Sequence, residues 1–178
     1  MYPLPEFKET KLHPASFTAR LTTILLTCLF CTFLACRDDR QESFYPSLAD
    51  AKRDGAIDRG WIPEFLPQSS RSIHELHDLS PSRGWCAFEF LPADAVTLNK
   101  ALKATVDTVP PPIKQIRSAG RPWWPAMLEG DLDMKKLRAS GFQLYAFVDG
   151  SPPVATVMFF AIDWAKGIGF LYQTPQPS

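Results

Sequence analysis

The sequence predicts an α+β domain, an antiparallel sheet of about four strands packed with two or three short helices. Three observations lead there. Trp85 to Leu91 alternates, with Cys86, Phe88 and Phe90 on one side and Trp85, Ala87 and Glu89 on the other, as a half-buried strand does. Pro92 to Thr105 carries an apolar stripe at helical spacing, Leu98, Ala101, Leu102 and Thr105. Three apolar segments close the chain, divided by the turn pairs Asp149-Gly150 and Lys166-Gly167. Strand, helix, helix and a three-strand meander make an α+β order with an antiparallel sheet.

Taken in order, the chain opens on an export-type segment. Lys8, Lys11 and Arg20 precede Leu21 to Ala35, an uncharged apolar run. That run suits a signal peptide, and it is short against the roughly 20 residues of a spanning helix. Residues 1–35 therefore read as a removed signal, 36–45 as a modified cysteine with a flexible tether, 46–173 as one domain, and 174–178 as a loose tail. Arg37 to Phe44 is polar and without periodicity, which is why it reads as tether. Ser47 and Asp50 form a capping pattern for a helix over about 48–58. Pro63 and Pro67 hold Trp61 to Leu66 in extended or turn form. Ser69 and Ser70 are good N-cap residues, and the stretch they open predicts a short helix over about Arg71 to His77.

Beyond the Trp85 strand, Pro92 opens a helix with Asp94 in its first turn. Val109 to Pro125 is rich in proline and reads as loop. Asp131 is placed to cap a helix that carries Leu132, Met134 and Leu137 and stops at Gly141. The closing strands are Phe142 to Val148, Val154 to Ile162 and Ile168 to Gln173. The second is apolar on both faces and so belongs in the middle of a sheet.

Composition narrows the function classes. The formal net charge of the 178 residues is zero, with +1 in residues 1–35 and −1 in the rest. Nothing in that balance favours a nucleic-acid partner. Of four cysteines, Cys28 and Cys31 lie in the signal, so Cys86 is left without an internal partner once Cys36 is modified. Its aromatic neighbours on the strand predict a buried, unreactive thiol.

Few residues carry candidate chemistry. His74, His77 and Asp78 are the densest polar cluster. Two histidines three apart on a helix reach one metal only with further ligands, and the mature chain offers no closed set. Neither a metal nor a cofactor is expected, and no catalytic residue is assigned. Trp61, Trp123 and Trp124 form a candidate aromatic surface for a protein or glycan partner. Pro122 to Pro125 spells the name of the PWWP domain, but that likeness ends with Ala126, after five residues.

Phe33-Leu34-Ala35-Cys36 resembles the lipobox of bacterial lipoproteins, although leucine is usual where Phe33 stands and a small residue where Leu34 stands. The resemblance implies a diacylglycerol on Cys36, cleavage before it and attachment to a membrane through acyl chains. Arg37, where an aspartate would imply retention at the inner membrane, favours the outer membrane. More widely, GWIPEFLP, IHELHD and the later WWP are similar to a group of uncharacterised bacterial envelope lipoproteins. That likeness implies location in the cell envelope and carries no activity. The expectation is a lipid-anchored, non-enzymatic binding module. The alternative is a small envelope hydrolase using His74, His77 and Asp78.

Overall fold

A computed structural model describes residues 39–79, 82–104, 115–150 and 155–175. Residues 1–35, read above as a signal, and Cys36 lie outside the described residues. Six strands build one sheet: β1 (Arg40–Ser47), β2 (Arg71–Asp78), β3 (Arg83–Glu89), β6 (Gln143–Asp149), β7 (Thr156–Asp163) and β8 (Ile168–Pro175). Their order is β1-β2-β3-β8-β7-β6, every neighbour antiparallel. A two-residue pair, β4 (Gln115–Ile116) with β5 (Gly130–Asp131), stands apart. The helices are α1 (Leu48–Arg53), α2 (Val96–Ala104) and α3 (Met134–Ala139). The sheet is thus larger than four strands. The C-terminal meander β6-β7-β8 matches the sequence reading, and β7 is buried from Val157 to Asp163 as a central strand should be. A second meander, β1-β2-β3, joins it along the β3–β8 seam. At that seam Gly169 leaves room for the Phe88 ring, because a Cβ there would lie 2.2 Å from its Cζ.

Both faces of the sheet are covered, and that decides the local outcomes. On one face, Ile73, Cys86, Phe88, Phe160 and Leu171 pack beneath α1, the 56–66 segment and α2, through Leu48, Ile62, Leu66, Leu98 and Leu102. On the other face, Leu76, Trp85, Phe159 and Tyr172 pack beneath Ile116, Trp124, Leu128 and Leu137. Residues 71–78 are therefore a strand and not the helix predicted over about 71–77. Ile73 and Leu76 are each wanted on a different face, which a strand supplies and a helical stripe does not. The strand carries an irregularity between Arg71 and His74, where Ser72 takes φ +48°. Ser69 and Ser70 do not cap a helix. The Ser69 amide donates to Asp94 and its hydroxyl accepts from Leu91 N.

Four further boundaries differ. Residues 40–45 are edge strand rather than tether. Two of their charged side chains are occupied: Arg40 donates to the Ala119 carbonyl, and Glu42 accepts from Arg121 and Trp123. Ser47 caps α1 as expected, its hydroxyl accepting from Asp50 N, but the helix ends at Arg53 and the chain runs on in turns. Asp133, not Asp131, caps α3, accepting from Lys135 N and Lys136 N, while Asp131 sits in β5. Residues 174–175 belong to β8 and are not loose tail.

Candidate functional site

The register of the sheet gathers one set of polar residues under Trp61. Strand periodicity places Ile73, Glu75 and His77 on one face of β2 and His74, Leu76 and Asp78 on the other. The histidines of the sequence cluster are thus split across the sheet. His74 stacks on Trp123 at 5.4 Å and tilts against Phe44 at 4.8 Å. Asp78 lies 3.8 Å from Arg117. His77, on the opposite face, pairs instead with Glu75, Nδ1 to Oε1 at 2.8 Å. Among the described residues no three His, Cys, Asp or Glu side chains converge as metal ligands would.

The Glu75–His77 pair is deeply enclosed, with Glu75 1% and His77 4% exposed. Trp61 lies over the imidazole, ring centroids 3.8 Å apart and 25° from parallel. The Arg59 guanidinium carbon sits 4.0 Å from the Trp61 centroid. Two groups this close to one centroid cannot share a face, so the indole is sandwiched between them. Arg59 is held in turn by Asp54, at 2.6 Å. Below the pair, Glu75 stands opposite Cys86 in the ladder, and Cys86 is buried.

Burial sets the charges. It raises the Glu75 carboxyl to about 8, against the opposing pull of Arg59. It also lowers the His77 imidazole, with Arg59 adding to the effect. Both shifts favour the uncharged forms, so the pair is satisfied by a carboxylic acid donating to Nδ1 of a neutral imidazole. Glu75 Oε2 and His77 Nε2 have no hydrogen-bond partner among the described residues. The thiol of Cys86 is raised by burial and by the nearby Glu75, as its strand neighbours predict.

His77 and Trp61 line one wall of a cleft of about 360 Å³ at the end of the sheet, with Arg83, Asp149, Met158 and Gln173 around it. Cross-strand pairing runs His77–Gly84–Gln173–Met158 in one row. Gly84 has no side chain, and the Gln173 amide occupies that space: a Cβ on Gly84 would lie 2.5 Å from Gln173 Nε2.

The aromatic surface expected from sequence does not form. Trp61 lies in the cleft wall with both ring faces taken. Trp123 is on the other side of the sheet, held by His74 and by its N–H bond to Glu42 at 2.8 Å. Trp124 is buried, its N–H donating to the Leu128 carbonyl. What sequence reading missed is Glu75. Its signal is the spacing Glu75-x-His77, which shares a face on a strand and not on a helix.

A family model described as the YbbD head domain matches residues 39–89. The match starts one residue before β1 and ends with the last residue of β3, so it spans the first meander with Trp61, Glu75 and His77. It covers under a third of the 178 residues. No curated protein and no solved structure matches the chain.

Proposed function

We propose that this chain is a lipid-anchored protein of the bacterial cell envelope whose domain acts as a binding module. The observation that carries the reading is Phe33-Leu34-Ala35-Cys36 at the end of the apolar run, with the first strand starting four residues later at Arg40. Several acyl chains are needed for a firm anchor, since each buried CH₂ contributes only about 0.8 kcal/mol. The domain would meet an envelope protein or glycan through its cleft or its exposed edges, and Arg37 favours the outer membrane. The likeness to uncharacterised envelope lipoproteins supports location and leaves the partner open. None of the described helices is long and apolar enough to cross a membrane. The test is Cys36→Ser. The variant is expected to remain an unacylated precursor by intact mass and to leave the detergent phase. A variant that still reaches the wild-type mass overturns the reading.

A second reading, a small envelope hydrolase, is favoured by the Glu75–His77 pair beside the cleft. The His74/His77/Asp78 set first assigned to it is divided between two faces. Hydrolysis would require His77 Nε2 to reach a nucleophile or water, and that atom is enclosed beneath Trp61. Binding is therefore the better supported use of this end of the sheet.

A further inference from the structure

Strand register places several features at one end of the sheet. Arg40, where β1 begins, pairs with Asp78, and Asp78 pairs with Arg83 at the start of β3. Beside them come the last residues of β8 and β6 and the first of β7, since Thr156 pairs with both Pro175 and Asp149. This is the end that holds the cleft of Trp61, His77 and Arg83. Next to Asp78, Leu79 begins the β2–β3 connection and is 58% exposed, although most leucines of the domain are buried. Arg83 lines the cleft and has no ion-pair partner among the described residues, and the Arg117 side chain is 60% exposed nearby.

Resting on the reading that Cys36 carries lipid, the covalent chain limits how this end can lie. Four residue steps separate Cys36 from Arg40, and at most about 3.6 Å per step gives roughly 14 Å of reach. The opposite end is farther: β3 alone runs six steps from Arg83 to Glu89, about 20 Å at 3.3 Å per residue. We infer that the Arg40 end of the sheet rests on the bilayer surface, with Leu79 at the acyl–headgroup boundary and the mouth of the Trp61–Arg83 cleft facing the phosphate-bearing headgroups. A leucine suits the apolar boundary, and a guanidinium beside it suits a phosphate ester. The far end, with Leu91 and Val96, then points away from the membrane.

The test uses the full chain, purified with its acyl groups and reconstituted into phosphatidylethanolamine–phosphatidylglycerol vesicles containing spin-labelled lipid. Leu79→Cys and Leu91→Cys each receive a fluorescent thiol label. Both native side chains are exposed, Leu91 at 51%, and Cys86 is buried. Quenching by the spin-labelled lipid is expected to be several-fold greater at position 79 than at 91. Equal quenching, or more at 91, on protein whose mass shows acylated Cys36 overturns this orientation and leaves the anchored reading standing. A mass without acyl groups on Cys36 overturns both.

Discussion

His77 Nδ1 lies 2.8 Å from Glu75 Oε1, two residues away on the same face of β2. The pair is buried at the cleft wall, and burial favours the uncharged form of both groups. Glu75 has its carboxyl raised from 4.5 to about 8, so the folded state holds a proton that the unfolded chain releases. Stability is fully present below pH 4.5 and is lost as pH rises through 8. His77 is lowered from 6.5 and works in the other sense, losing stability as pH falls below that value. The window from pH 6.5 to 8 therefore reports Glu75. Tyr45, whose pKa is raised, and Asp54, whose pKa is lowered, do not titrate in that window. One proton contributes about 1.4 kcal/mol per pH unit, so stability is expected to fall by about 1.5 kcal/mol across the window. Urea unfolding at several pH values is the measurement. Glu75→Gln, which keeps a donor for Nδ1, should flatten the slope; an unchanged slope in the variant refutes the assignment.

Trp61→Ala should open the cover over His77. Water then reaches the ring, and the imidazole pKa is expected to rise toward its ordinary 6.5. NMR titration of the His77 ring protons checks this. The lost packing should cost about 2 kcal/mol, less than for a fully enclosed tryptophan, because Trp61 is only half-buried.

The two histidines should respond unequally to replacement. His74→Ala loses a ring contact with Trp123 and is expected to cost about 0.5–1 kcal/mol. His77→Ala leaves Glu75 without its partner in a buried setting, at about 2–3 kcal/mol. Since they occupy opposite faces, the double variant should equal the sum of the singles. Equal costs for the two singles in denaturant titrations would contradict the split.

Gly169→Ala tests the seam between the two meanders. The new methyl would meet the Phe88 ring at 2.2 Å, in a place where neither strand can yield easily. An expected loss of about 2–3 kcal/mol follows from overpacking. Phe88→Leu should recover part of that loss in the double variant, and thermal unfolding of all three proteins measures it.

Cys86 is expected to resist thiol reagents until the protein is denatured, because it is buried and its pKa is raised. Cys86→Ala should cost on the order of 1 kcal/mol. Rapid labelling of the native protein would show that the face carrying Phe88 and Phe90 is open.

The C-terminal half was legible because its chemistry is local. Asp149-Gly150 and Lys166-Gly167 mark turns by themselves, and the run Val157 to Ile162 is apolar enough to name a central strand. The alternation of Cys86, Phe88 and Phe90 likewise assigned the face on which they are buried. Ser47 announced its own cap through Asp50. The first meander was not legible, for two physical reasons. Residues 71–78 are covered on both sides, which erases the period of two and leaves Ile73 and Leu76 at a spacing that imitates a helix. Residues 40–47 form an edge whose polar side chains look like linker, until Ala119, Arg121 and Trp123 come down from a distant loop to satisfy them. The same tertiary events decided the site. Sequence alone put His74 and His77 together as neighbours; only the sheet, with a different layer packed on each face, separated them and gave His77 to Glu75.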